Sequence, residues 1–187
     1  LTLESAAEME RAFGIPSIAD HYTQIASAIR GTIREKYWDA TRGLFADTYD
    51  HRSFSQHVNS LAILAGIVTG EEATRVMERT LNDSSLIQAT IYFRYYVHQA
   101  LKVAGMGDHL LDNLQIWRDQ MALGLTTWAE MPEPTRSDCH AWGASPNIEF
   151  FRILLGIDSN APGFKSIRIA PSLGDLKEVS GTMPHPV

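Results

Sequence analysis

The segment Gly124-Leu125-Thr126-Thr127-Trp128-Ala129-Glu130 is followed ten residues later by His140-Ala141-Trp142. These residue types suit chemistry on a sugar. Indoles cover the apolar faces of a pyranose, a carboxylate handles the proton of a water or a leaving group, and an imidazole donates to a hydroxyl or orients the carboxylate. Glu130 stands among Thr126, Thr127, Trp128, Pro132 and Pro134, and the prolines place it in a loop after a helical run. Catalytic groups concentrate on such loops, which makes Glu130 the candidate general base. The plain alternatives are a solvated loop carboxylate for Glu130, a helix-flanking residue for His140, and buried core rings for Trp128 and Trp142. Glu133 and Asp138 are further acids in the same loop.

A second polar cluster runs from Trp38-Asp39 through Gly43-Leu44-Phe45-Ala46-Asp47 to Ser55-Gln56-His57-x-Asn59. Gln56 and Asn59 lie one turn apart at the start of an apolar helix. Amides so placed either make paired hydrogen bonds to a polyol or cap the helix. Asp39 and Gly43 read as a turn.

The elements that must position these groups are helical up to about residue 156. Ile18, Tyr22, Ile25, Ile29 and Ile33 recur at helical spacing behind Ser17-x-x-Asp20, an acidic variant of the capping box. Val58, Leu61, Ala62, Ala65 and Val68 form another stripe, and Thr69-x-x-Glu72 can cap a short helix after it. Ser85-x-x-Gln88 is expected to open a helix from Leu86 to Ala104, apolar almost all round and so buried, stopped by Gly105 and Gly107. Leu110, Leu114, Trp117 and Met121 mark an amphipathic helix. Ser145-Pro146 opens the last one, carrying Phe150, Phe151, Leu154 and Leu155 and ending at Gly156. Buried helices alternating with amphipathic ones suggest two layers, as helical hairpins closing into an α/α barrel would give; a plain bundle fits nearly as well. After Pro162-Gly163 the period changes. Phe164, Ile167 and Ile169 read as a short strand and Leu176 to Ser180 as a second.

Bulk composition narrows the partners. A net charge of −6 with scattered Lys and Arg argues against nucleic acid. No apolar run approaches the roughly 20 residues of a membrane span, the longest being Leu61 to Val68. The single cysteine, Cys139, excludes an internal disulfide and reads as a small buried thiol. Asn82-Asp83-Ser84 matches a glycosylation sequon. Leu1-Thr2-Leu3-Glu4 runs straight into a helical pattern with no signal peptide. No cofactor and no metal are expected. There is no Gly-rich phosphate loop, no His-x-x-x-His pair and no zinc spacing, and adjacent Cys139 and His140 form neither a helical metal pair nor a good nucleophile dyad.

Taken in order, these segments resemble the catalytic region of bacterial α-L-rhamnosidases, glycoside hydrolases with an (α/α)6 barrel. Tyr37-Trp38-Asp39 to Gly43-Leu44-Phe45-Ala46-Asp47 is similar to the family's F/Y-W-D…G-L-F-A-D segment. Ser55-Gln56-His57-x-Asn59-x-Leu61 resembles its S-Q-x-x-N-x-L helix start, and Thr126-Thr127-x-x-Glu130 its T-T-x-x-E loop. Ser137-x-x-His140-x-Trp142-x-Ala144-x-Pro146 resembles the following S-x-x-H-x-W-x-A-x-P segment. Leu155-Gly156-Ile157, Pro162-Gly163-Phe164 and Ile169-Ala170-Pro171-x-Leu173-Gly174 look like the exit from the barrel into a C-terminal β-sandwich.

The resemblance implies a mainly α fold, a partial (α/α)6 barrel of helical hairpins with short strands at the C-terminus. Residues 1–158 would be the C-terminal part of the catalytic domain and 159–187 the start of the β-sandwich region. It implies cleavage of terminal α-L-rhamnosides with inversion, Glu130 being the general base. His140 and Gln56, with Asn59 beside it, would contact hydroxyls, and Trp128 and Trp142 would shape the pocket. The family's general acid lies well upstream, and nothing here corresponds to it, so the isolated chain is expected to have little activity. An unclosed barrel would also leave apolar helix faces open, favouring self-association. The alternatives are a non-catalytic helical carbohydrate-binding or interaction module, and another α/α-barrel hydrolase or lyase.

Overall fold

Pro16 sets the start of the longest helix: its fixed φ suits the first helical position, where a missing N–H costs nothing. In this computed structural model, which describes residues 1–184, that helix is α2 (Pro16–Tyr37), preceded by α1 (Thr2–Phe13). The expected capping box at Ser17 is not used. Ile15 occupies the cap with no side-chain hydrogen bond, because the proline begins the helix before Ser17. The two helices pack through small buried residues, Ala7, Ala19 and Ala26, and an Arg30–Glu4 ion pair joins them.

The chain divides into two compact units, Leu1–Gln88 and Ala89–Val187. In the first, α2 runs into β1 (Trp38–Asp39), which pairs antiparallel with β2 (Leu44–Phe45). The turn between them is the one read from the sequence: Asp39 Oδ1 accepts from the N–H groups of Thr41 and Arg42, and Gly43 takes a positive φ of 61°. Helix α3 (Gln56–Leu64) starts at Ser55, whose hydroxyl accepts from Val58 N at 3.2 Å. It packs on α4 (Gly70–Asn82). Leu44, Phe45, Phe54, Ile63, Val76 and Met77 are the larger buried side chains between these elements.

The helix expected from Leu86 to Ala104 forms only in its second half, as α5 (Arg94–Val103) in the second unit. Residues before it are held elsewhere. Ser85 N donates to Asp83 Oδ1, and Ile87 joins a bridge to Ser55, donating to Phe54 O at 2.9 Å and accepting from Gln56 N at 3.0 Å. Short polar side chains and β-branched Ile87, Thr90 and Ile91 favour such pairing over a helix.

Beyond Gly105 the chain makes tight turns at Gly107–His109 and Leu111–Leu114 before α6 (Gln115–Ala122), so the amphipathic stripe is only partly α-helical. Helix α7 (Pro146–Glu149) opens at the expected proline and widens into i→i+5 turns over Phe150–Leu154. Gly156, at φ 66°, ends it, and a Cβ there would fall 2.0 Å from Ala170 O. The chain then pairs β3 (Ile157–Ser159) antiparallel with β4 (Ile167–Ile169). The strand at Ile167–Ile169 is as expected, but its partner is Ile157–Ser159. Leu176–Ser180 forms no strand; Val179 instead packs against Leu110, Ile153 and Leu154. Among the described residues no helix is long and apolar enough to cross a membrane.

Candidate functional site

The loop that carries Glu130 is fastened to α6 at two points. Gln120, buried, accepts from Ala129 N at 2.9 Å, and Trp117 Nε1 donates to Gly143 O at 2.6 Å. Between these anchors the loop folds back on itself: His140 N donates to Trp128 O at 2.8 Å and Glu130 N to Ser137 O at 2.9 Å. The Thr127 hydroxyl also donates to Asp138 O. Glu130 is therefore backbone-fixed despite its proline-rich surroundings.

Its side chain lines an open cleft of about 430 Å³ with Thr90, Tyr92, Met131 and Trp142. Tyr92 and Trp142 meet edge to face, ring centroids 5.5 Å apart at 74°. His140 stands behind Trp142, ring centroids 4.4 Å apart, and among the described residues its Nδ1 is buried with no partner. The Glu130 carboxylate forms a bidentate pair with Arg136, Nε lying 2.7 Å from Oε2 and Nη2 against Oε1. That guanidinium hydrogen bond, with the charges of Arg136 and His140, holds the Glu130 pKa below the usual carboxylate value. Arg136 itself is 80% exposed, against 14% for Glu130. The chemistry available is a fixed, ionised acceptor facing two aromatic rings.

The other sequence candidates separate. Trp128 joins the core, packed against Ile91, Leu114 and Trp117, so of the two loop indoles only Trp142 faces the cleft. Gly143 allows this: a Cβ there would lie 2.5 Å from Trp128 Cβ. Glu133 is exposed and accepts from Thr135 N, and Asp138 is exposed as well. Cys139 is exposed, contrary to the buried thiol expected; it lies in the loop, its N–H donating to Ser137 Oγ at 3.3 Å.

Gln56 and Asn59 belong to the first unit and are 2% and 0% exposed. Gln56 Nε2 donates to Thr80 O at 3.1 Å. Asn59 Oδ1 accepts from Phe45 N at 2.8 Å, while its Nδ2 donates to Phe45 O and Ser55 O at 3.0 and 2.9 Å. These hydrogen bonds tie both amides to nearby backbone, while the helix cap itself is the Ser55 hydroxyl. Asn59, with its Nδ2 and Oδ1 both engaged, has little left for a ligand.

Several contributors escaped sequence reading. Tyr92 lay inside the segment expected to be a buried helix, Trp117 read only as part of an apolar stripe, Gln120 carried no signal, and Arg136 carried one only in its six-residue spacing from Glu130. Glu149 is fully buried in α7. Its Oε2 accepts from Gln99 Nε2 at 2.6 Å, its Oε1 has no partner among the described residues, and burial pushes its pKa up to about 7. Such a value suits a proton donor, but Glu149 lines no part of the Glu130 cleft. Among the described residues no cluster of His, Cys, Asp and Glu suits a metal ion.

No protein-family model matches this chain, and no curated protein sequence does. Solved structures do. The GH78 family rhamnosidase of Bacillus sp. GL1 matches with a TM-score of 0.81 and 25% identity, over 92% of this chain and 20% of that one. A rhamnosidase from Klebsiella oxytoca with rhamnose bound matches with a TM-score of 0.71 and 21% identity, over 80% of this chain and 31% of that one. The chain thus spans a fifth to a third of the length of these proteins. The resemblance carried by the ordered motifs has a counterpart in three dimensions, and the mainly α fold class agrees with it.

Proposed function

We propose that this chain carries the base-bearing part of a glycoside hydrolase that cleaves terminal α-L-rhamnosides with inversion, with Glu130 as general base. The observation that carries the reading is the Glu130 carboxylate, ionised and backbone-fixed, on the wall of an aromatic cleft. The likeness to two rhamnosidases supports the substrate class. Trp142 and Tyr92 are the rings on which the sugar stacks. His140, behind Trp142, orients that indole and adds positive potential at Glu130. In this mechanism a water sits between Glu130 and the anomeric carbon, gives its proton to the carboxylate and attacks the face opposite the leaving group.

Inversion needs a second carboxyl about 6.5–9.5 Å away to protonate the leaving oxygen. Among the described residues Glu130 is the only carboxylate lining the cleft. The 187-residue protein is therefore expected to bind L-rhamnose and to hydrolyse aryl α-L-rhamnosides slowly or not at all. The test is NMR titration with L-rhamnose, beside an assay of rhamnose release by the chain and its Glu130→Gln variant. Shifts at Trp142 and Tyr92, with any turnover abolished by the substitution and the released sugar inverted, support the reading. Turnover indifferent to Glu130→Gln, or no rhamnose binding, overturns it.

A further inference from the structure

A second open cleft, of about 440 Å³, adjoins the one that holds Glu130, and Tyr92 and Trp142 line both. Its other walls include Tyr95 and Tyr96 from α5, and Ser145 and Ile148 at the start of α7. Tyr96 lies 4.9 Å from Phe93 and 5.2 Å from Tyr95 by ring centroids, and Tyr95 OH accepts from Arg152 Nη1 at 3.1 Å. These contacts fix the two tyrosine rings. Ile148 is 42% exposed and Tyr92 51%, so apolar surface is open to solvent here.

We propose that this second cleft holds the leaving group of the glycoside and selects an aromatic ring over a second sugar. The inference rests on the rhamnoside reading of the Glu130 cleft and extends it. The two halves of a glycoside are covalently joined, so the group attached to the sugar must lie in a space continuous with the sugar's. The cleft across the shared Tyr92–Trp142 wall is such a space.

Its chemistry decides the occupant. A pyranose brings several hydroxyls that lose water on binding and need partners of their own. The lining side chains offer no carboxylate, amide or cationic group, only tyrosine hydroxyls, a buried serine hydroxyl and the Trp142 indole N–H among aromatic and aliphatic surface. An aryl ring needs stacking and edge contacts, which four aromatic side chains supply. Space is ample, since a cavity of roughly 150 Å³ already accepts benzene.

The experiment measures, by NMR titration of the 187-residue protein, the affinities for methyl α-L-rhamnoside, phenyl α-L-rhamnoside and a rhamnosyl-glucose disaccharide. Phenyl rhamnoside is expected to bind about two- to tenfold more tightly than the methyl glycoside, and the disaccharide no more tightly than methyl. The phenyl advantage should vanish in Tyr96→Ala and in the exposed-site variant Ile148→Glu, with methyl affinity unchanged. Equal phenyl and methyl affinities overturn the proposal and leave the rhamnoside reading standing. So does a disaccharide that binds best, which would mean a sugar subsite, or a phenyl advantage that survives both substitutions, which would place the ring elsewhere. Binding of none of the three overturns the rhamnoside reading and this proposal with it.

Discussion

Asn59 in the first unit and Glu130 in the second are both polar side chains in segments that resemble rhamnosidase motifs, and their surroundings make them opposites. Asn59 is fully buried and holds both backbone groups of Phe45 as well as Ser55 O. Glu130 is held through its own backbone, and its carboxylate meets only a largely exposed arginine and open cleft. A buried side chain whose hydrogen bonds all go to backbone builds structure, whereas a carboxylate at a cleft held only by an exposed arginine is open to a ligand.

The widest gap is expected in stability. Asn59→Ala strips partners from buried groups of Phe45 and Ser55, at about 1–3 kcal/mol for each group left unsatisfied. Chemical denaturation should show it as the most destabilised of the variants considered, with rhamnose binding by the folded fraction unchanged. Glu130→Gln should leave the denaturation midpoint where it was. Should Asn59→Ala fold normally and lose rhamnose binding, the contrast would be broken and the amide would belong to the ligand.

Glu149 sharpens the comparison, being a carboxylate placed as Asn59 is. Burial raises its pKa to about 7, so the folded state holds its proton more tightly than the unfolded chain does. Its stabilising contribution is complete below the unfolded pKa and is lost as pH rises through about 7. His98, also fully buried, runs the other way. Burial lowers its pKa to about 4, and its contribution, complete above the ordinary histidine pKa, is lost as pH falls from there through about 4. Glu149→Gln keeps the neutral shape and cannot ionise. Against wild type it should gain on the order of 2–3 kcal/mol at pH 8 and almost nothing at pH 4.5, read as thermal midpoints at the two values. A gain equal at both would show that Glu149 does not titrate in this range.

Gly143→Ala tests how tightly the loop is set. The new methyl meets Trp128 Cβ, and overpacking of this kind costs about 1–3 kcal/mol. Weaker rhamnose binding should accompany the lower midpoint, because Trp142 immediately precedes Gly143. Lost stability with unchanged binding would separate the cleft from its support.

How far all this was legible follows from range. Helix starts depend on neighbours in sequence, and Ser55 and Pro146 gave theirs correctly. The Asp39–Gly43 turn was local too. Residues 85–93 were misread because Ile87 pairs with Phe54 and Gln56, some thirty residues away, and no periodicity reports that. The same limit governs the site. Glu130 and Trp142 carried a motif, whereas Tyr92 reaches the cleft from a distant turn. Trp128 was indistinguishable from Trp142 by type, and only packing on Ile91, Leu114 and Trp117 divides core from cleft.

The smallest expected effect lies in the Arg136–Glu130 pair, where the contrast with Asn59 is most exposed to refutation. Arg136 is 80% exposed and holds Glu130 from within the same loop, so Arg136→Gln should not move the thermal midpoint measurably. What it removes is the first cause of the lowered Glu130 pKa. Followed by carboxyl-carbon NMR, the Glu130 titration should move upward in the variant, still below neutrality. Rhamnose binding at neutral pH should persist, since the carboxylate stays ionised and gains access to the cleft. Loss of rhamnose binding in Arg136→Gln would mean that the guanidinium is part of the ligand site, and Glu130 would then resemble Asn59 in acting through a protein partner.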